Sequence, residues 1–463
     1  MAAHSIVMTE GRPLPQIIRF SVPLALTGIL QLLFNAADVI VVGKFDSSTA
    51  LAAVGATSSL INLLTGAFIG ISVGVNILVA RYIGCRDDDG VSRAVHSAVT
   101  LSLLLGIVTF LLGFFLSTPM LALMDTPADV LALASLYLRI YFIGVPGALI
   151  YNFAAAVLRA YGDTKRPLLF LAVSGVLNVL LNLFFVIVCR LDVAGVAIAT
   201  VVSQYVSVVM ILVCLMRQEG PSRLCLAKLR LHPSEALRMI QIGLPAGLQS
   251  VVFNISNVMV QSCVNSFGAD VIAANTAASN LAAFTYTAMN AVFHAAITFT
   301  SQNLGARRYD RIWSIFRNCL LTVLLIGVPL CVVSTVFGPQ LLSIYVSKND
   351  PAYDAVIAMG MIRTYYVTTP YFLCGMMEVC CGMVRGLGKS WLPMVVTIFG
   401  ACVLRIIWIY TIFAWDRTLP ALYISYPISW ALTAAMHVVC FVIFWRSIRR
   451  RLEALSPAGA ASS

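Results

Sequence analysis

Charge is what this sequence lacks. Asp, Glu, Lys and Arg together make up 11% of the 463 residues, while 60% are hydrophobic. A soluble domain carries about 25% charged residues, so this chain cannot cover a water-facing surface, and a soluble globular fold is excluded. Several uncharged runs exceed the roughly 20 residues that a membrane-spanning helix needs: 168–189, 193–216, 239–269, 271–306 and 419–445. The ten-residue alternation of a membrane β-barrel is missing too. So is any Gly-x-x-x-x-Gly-Lys-Ser/Thr phosphate loop, and the connections are too short for a soluble nucleotide-binding domain. The twelve cysteines are scattered without metal-ligand spacing, and the adjacent Cys380-Cys381 suits neither an ordinary disulfide nor a zinc site. No His/Asp pair or metal motif appears at a membrane face, which argues against an enzyme. Residues 1–16 lack a basic start, a short apolar core and a cleavage site, so the first apolar segment is expected to stay in the protein.

What is present is a set of twelve apolar segments, placed at about 17–43, 51–80, 94–116, 131–157, 168–189, 193–216, 238–267, 272–301, 314–336, 355–382, 392–414 and 420–445. The expected fold class is an all-α polytopic membrane protein with twelve transmembrane helices in two pseudo-symmetric six-helix bundles. The net charge of +11 is explained by its distribution rather than by nucleic acid. Lys44, Arg190, Lys348 and Arg417 fall in outer loops and Arg139, Arg363 and Arg405 in spans, leaving 23 of the 30 Lys and Arg at inner ends and loops. That bias places both termini in the cytoplasm of a plasma (inner) membrane protein.

The second half repeats the first. Residues 137–146, containing Arg139, Gly144 and Pro146, recur as 361–370, with Arg363 and Pro370. Arg-x-x-Gly-x-Ser/Thr-x-x-Pro follows each copy: Arg159, Gly162, Thr164 and Pro167, then Arg385, Gly388, Ser390 and Pro393. Pro23 answers Pro245, and Gly84 answers Gly305; the offset stays between 221 and 226. The expected organisation is an N-terminal lobe (1–216), a cytoplasmic linker (217–237), a C-terminal lobe (238–446) and a basic cytoplasmic tail (447–463). Two parallel copies in a membrane suit two lobes moving about a shared central site. The matching loops at 81–93 and 302–313 read as helix C-cap glycines (Gly84, Gly305) followed by basic anchors.

Five Asp, Glu, Lys or Arg residues lie within spans away from the inner ends, where Arg19, Arg238 and Arg317 fall, and each of the five costs a few kcal/mol and usually faces protein or a water-filled cavity. Asp38 stands near the outer end of the first span. A carboxyl group taken out of water binds either a proton or a cation. Asn178 and Asn182, four residues apart, share one face of span five, and Thr200 in span six comes at similar depth. A carboxylate, two amide oxygens and a hydroxyl suit a hard cation such as Na⁺ or a proton-linked hydrogen-bond network. Isolated Asn residues also serve as interhelical glue. Arg139 and Arg363, as repeat partners, are expected to be structural. Glu378, in register with Asn152 of span four, has no repeat-related carboxylate and is a candidate second protonatable site. Arg405, mid-span, requires a buried partner or an aqueous cavity, and Glu378 is one candidate for that partner.

The first-span pattern Ser21-Val22-Pro23…Asp38…Gly43-Lys44 and the paired 158–164 and 384–390 segments resemble the MATE (multidrug and toxin extrusion) family. The likeness covers about residues 12–450, and Glu378-Val379…Gly382…Val384-Arg385-Gly386 is similar to the span-ten signature of its prokaryotic branches. The resemblance implies two six-helix bundles alternating between inward- and outward-open states. It implies antiport: export of small organic cations or amphipathic drugs in exchange for H⁺ or Na⁺, with no cofactor and with a monomer sufficing. Its cation site falls on Asp38, Asn178, Asn182 and Thr200, with Pro23 as the hinge and Asn152, Glu378 and Arg405 as a second coupling or substrate site. Members with the best-defined site often carry a second carboxylate where this chain has Asn182; with one carboxylate, H⁺ is favoured. The alternative is a flippase of lipid-linked oligosaccharides, which would need more cavity cations than Arg405.

Overall fold

A computed structural model of the chain describes residues 6–45, 48–124, 126, 128–346 and 351–455, and every regular element among them is helical. α1 (Pro13–Phe45), α2 (Ser48–Cys85), α3 (Asp88–Leu123) and α4 (Ala128–Ala160) come first. α5 (Lys165–Leu183), α6 (Asp192–Met216), α7 (Pro233–Asn265), α8 (Ala269–Gly305) and α9 (Tyr309–Val336) follow, then the short α10 (Gly338–Leu342). Span ten is broken into α11 (Tyr353–Arg363) and α12 (Phe372–Gly386) by a π-turn at Thr364–Thr368 and a 3-10 turn at Thr369–Tyr371. Span eleven comprises α13 (Trp391–Thr397) and α14 (Leu404–Trp408), separated by a π-turn at Ile398–Val403. α15 (Leu419–Tyr423) and α16 (Ser425–Leu455) complete the chain. The cluster Arg446–Arg450 is therefore helical; residues 456–463 of the expected tail, and Lys348, lie outside the described residues.

Among the described residues, eleven helical segments are long and apolar enough to cross a membrane. The expected eighth span, α8, has the length, 37 residues, but is diluted by Asn, Thr and Ser. Those side chains turn inward on the helix: the hydroxyls of Thr276, Ser279 and Thr298 donate to the carbonyls of Ile272, Asn275 and His294. A polar helix of this kind survives in an apolar setting because its groups are paired within it.

The described chain forms two compact units, Met1–Val7 with Val22–Val251, and Met8–Ser21 with Val252–Ser463. The division runs inside α1, beside Pro23, and inside α7, a few residues past Pro245. In the first unit, Ile71, Val75, Val95, Phe153 and Ala154 belong to one buried core. Small residues let α2 and the first half of α7 touch backbone to backbone. A Cβ at Gly74 would meet the Met239 carbonyl and lie 2.8 Å from Gly243 N, and one at Gly70 would strike Gly247. Close approach through glycine compensates for the lack of a hydrophobic driving force between helices in lipid. In the second unit the start of α1 packs on α8: Phe20 meets Phe299 edge-on at 5.8 Å, and Asn303 Nδ2 donates to Met8 O at 3.0 Å.

The internal repeat persists in the backbone. Gly162 and Gly388 both adopt the left-handed region, φ 79° and 86°, closing helices with N–H bonds to Arg159 O and Arg385 O. Only glycine enters that region without strain, which explains the invariant spacing after each arginine. The expected glycine caps at 84 and 305 are corrected. Those glycines end inside their helices, and the left-handed residues are Arg86 and Arg307, at φ 56° and 55°. Asp87 then caps α3, its carboxylate accepting the Gly90 N–H at 2.8 Å, with Asp88 and Asp89 favourably placed in the first turn.

The α2–α7 seam yields a paired test. Gly74→Ala is expected to destabilise the protein by about 1–3 kcal/mol through overpacking. Gly66→Ala, whose Cβ would meet nothing within 4 Å, should be neutral or slightly stabilising through helix propensity. Thermal unfolding of the two purified variants compares them directly.

Candidate cation site

The site in the first unit is assembled by a glycine. Gly175 of α5 lies under the ring of Phe34, where any Cβ would clash. That contact brings α1 against α5, and Asp38 follows Phe34 by about one helical turn. Asn178 and Asn182 are both buried, the latter fully. Asn182 Nδ2 donates to Asp38 Oδ1 in a short hydrogen bond, and to Asn178 Oδ1 at 3.3 Å. Asn178 Nδ2 in turn donates to Thr200 Oγ1 at 3.4 Å, and the Thr200 hydroxyl donates to Val196 O at 3.0 Å. The four residues predicted from sequence therefore form one chain of hydrogen bonds across α1, α5 and α6.

One atom in this chain has no partner: Asn182 Oδ1 is buried and unbonded among the described residues. A half-turn of that amide would exchange donor for acceptor, presenting Oδ1 to a cation held by Asp38. The same residues thus fit a hydrogen-bonded carboxyl or an oxygen-lined cation. No group of three or more His, Cys, Asp or Glu able to hold a metal occurs among the described residues.

Asp38, Asn178 and Thr200 line a cavity of about 170 Å³, together with Asn152, Ser203 and Gln204. Asn152 donates to Ala148 O at 2.8 Å, so it belongs with this cavity. Tyr137, buried, and Tyr141, half-buried, stand on α4 within electrostatic reach of Asp38; sequence reasoning passed over them, although their position in the repeated 137–146 segment marked the segment itself. Pro23 stands inside α1, its carbonyl accepting the Thr27 hydroxyl at 2.8 Å. The side chains of Gly43 and Lys44 lie outside the described residues.

The second unit contains Glu378 and Arg405, and Arg405 is fully buried. Its partners are neutral: Nε donates to Ser429 Oγ at 3.0 Å and Nη1 to Asn257 Oδ1 at 3.3 Å. The guanidinium also lies over the rings of Tyr426, Phe253 and Trp430, at 4.2, 5.3 and 5.7 Å. Among the described residues no ion pair joins it to Glu378; the charge acting on Glu378 is that of Arg385. Aromatic faces, one hydroxyl oxygen and one amide oxygen thus take the place of the candidate carboxylate. Arg139 is exposed, bonded to Thr118 Oγ1 at 3.2 Å and set over Phe114, whereas its repeat partner Arg363 is buried.

Two repeated units of long apolar helices define an all-α polytopic membrane protein, and a polar network surrounds one of its carboxylates. The MatE family profile matches residues 23–184 and 245–411, starting at the two repeat-related prolines. This chain belongs to the MatE family, and its bacterial relatives fit the prokaryotic branch. It is 27% identical over 404 residues to a Bacillus subtilis protein described as probable multidrug resistance protein YoeA, covering 85% of this chain and 86% of that one. It is 29% identical over 399 residues to the B. subtilis protein described as probable multidrug resistance protein YpnP, covering 86% and 88%. The solved outward-facing structure of a multidrug resistance MATE family transporter of the MOP superfamily superposes with a TM-score of 0.88 at 21% identity, covering 96% of this chain and 99% of that chain.

A second carboxylate should convert this site towards sodium. Asn182→Asp is expected to tighten Na⁺ binding roughly tenfold, or about 1.4 kcal/mol. The readout is the rise in unfolding temperature on replacing choline chloride with NaCl, compared with the parent protein.

Proposed function

We propose that the protein is a secondary active antiporter that exports small amphipathic organic compounds, organic cations among them, in exchange for H⁺ or Na⁺. The observation that carries this reading is the hydrogen-bonded chain of Asp38, Asn182, Asn178 and Thr200 beside a cavity. An unneutralised carboxylate in a span costs a few kcal/mol; a bound proton or cation removes that cost, so the two states differ in free energy by enough to bias a conformational equilibrium. Asn182 responds by donating to, or turning away from, the carboxylate. The network links α1 to α5 and α6, so its rearrangement acts on α1, where Pro23 lacks the N–H of a regular helix and eases bending. Membership of the MatE family and relatives described as multidrug resistance proteins support drug-like cargo.

In this reading the lobes 1–216 and 238–446, joined by the linker 217–237, open alternately to the two sides of the plasma membrane, with both termini in the cytoplasm. One monomer contains the complete route. A single carboxylate balances a single charge, which favours one H⁺ per cycle.

The test is transport by the purified protein and its Asp38→Asn variant in liposomes, using ethidium as the fluorescent organic cation. Under an imposed pH gradient the parent should drive efflux, and the variant should lose at least tenfold of the driven rate while unfolding at a similar temperature. A separate Na⁺ gradient identifies the alternative ion. Equal driven efflux by both proteins would remove Asp38 from the coupling step.

A further inference from the structure

The second unit holds a cavity of about 370 Å³, lined from α7, α8, span ten and α16, and no Asp or Glu is among its lining residues. Arg363 lines it. Its side chain is nine-tenths buried, and Nε and Nη1 have no hydrogen-bond partner among the described residues. Arg405 lies behind the wall formed by Tyr426 and Trp430, with Nη2 likewise unpartnered. Tyr371, between the 3-10 turn and α12, is within electrostatic reach of both guanidinium groups, so the two positive charges bear on one volume.

Neighbouring polar groups do not neutralise them. Asn275 Nδ2 donates to Gln261 Oε1 at 2.6 Å, and Tyr423 Oη donates to Asn275 Oδ1 at 3.0 Å. Those amides are committed to each other. Glu378 acts electrostatically on Tyr286 and Cys374, which line the cavity, but is not itself a lining residue and forms no ion pair with either arginine among the described residues. Arg405 is partly relieved by its three rings, but among the described residues Arg363 has neither a ring beneath it nor a carboxylate paired with it. A buried cation in a span calls for a counter-charge or water, and here the space for either is the cavity.

The rings around that space set the rest of the ligand. Tyr371 packs against Trp430 at 5.0 Å and faces Tyr286 at 6.3 Å, leaving flat apolar walls with a polar, positive rim. The volume falls in the range of small-molecule sites. The repeat supplies a contrast: Arg139, at the position equivalent to Arg363, is exposed. The cavity placement of Arg363 therefore arises in the second half and is not a by-product of the duplicated motif.

We propose that this cavity binds organic anions: an aromatic body against Tyr371 and Trp430, with a carboxylate or sulfonate held by Arg363 and Arg405 supplying the second positive charge. The inference rests on the transporter reading only in making the ligand cargo; the binding itself is read without any gradient.

The experiment is equilibrium titration of the purified full-length protein in nanodiscs, by calorimetry. The probes are 2-naphthalenesulfonate, the neutral 2-naphthalenesulfonamide and the cationic 2-naphthyltrimethylammonium. The sulfonate should bind at least tenfold more tightly than either analogue. Arg363→Gln should erase that preference and Arg363→Lys should retain most of it. Asn257→Asp, which sets a carboxylate against Arg405 without removing a cation, should weaken sulfonate binding severalfold and carries the test if Arg363→Gln does not fold. Equal affinity for sulfonate and sulfonamide, tighter binding of the ammonium, or unchanged sulfonate affinity in the folded variants would overturn the proposal. Sulfonate binding that depends on Arg363 in a protein with no gradient-driven efflux would uphold it while overturning ion coupling.

Discussion

The cost of holding charge in an apolar layer organises this protein. With so few ionisable residues in its spans, each one must be accounted for by what surrounds it, and each is handled differently. Asp38 accepts from Asn182, whose amide is backed by Asn178 and Thr200. Arg405 is wrapped in three aromatic rings and two neutral oxygens. Arg139 escapes to the exposed surface, and Arg363 faces a cavity. Groups that are already satisfied are structural; those that await a proton, a cation or an anion are where function resides.

Duplication built the frame, and divergence within it built the chemistry. The backbone retains the repeat down to the left-handed Gly162 and Gly388 and the left-handed Arg86 and Arg307. Side-chain environments have separated. The first unit gathers a carboxylate and amides around a cavity of about 170 Å³; the second gathers arginines and aromatic rings around one of about 370 Å³. In the proposed reading the driving ion binds in the first unit and an organic anion in the second, and separate cavities let each site be tuned without altering the other.

Much of this was legible in the sequence, for definite reasons. Helical spans follow from length and apolarity, so the all-α polytopic class was legible; α8 is less apolar than the others because of its Asn, Thr and Ser, whose hydroxyls bond within the helix while Asn275 bonds to Gln261 and Tyr423. The Asp38, Asn178, Asn182 and Thr200 set was accessible because helical spacing and depth along consecutive spans place such residues together. Partners brought by packing were not. Phe34 over Gly175, the rings around Arg405 and the cavity before Arg363 depend on which face of each helix meets its neighbour. Recurrence of an arginine does not register the difference in setting either: Arg139 is exposed, and Arg363 is buried beside a cavity. The left-handed Arg86 and Arg307 were hidden for another reason: glycine two residues earlier is the expected terminator, yet the turn falls on the arginine, in the first copy directly before the Asp87 cap of α3.

The central claim is that an ion bound at Asp38 exchanges for cargo. The most direct measurement is ion flux evoked by substrate in liposomes without an imposed ion gradient. Ethidium is added on one side while pyranine reports lumenal pH and, separately, ²²Na⁺ uptake is counted. The account predicts a counterflow of one of these ions in the parent protein and none in Asp38→Asn. Ethidium transport without any accompanying ion movement, or counterflow that persists in Asp38→Asn, would contradict it.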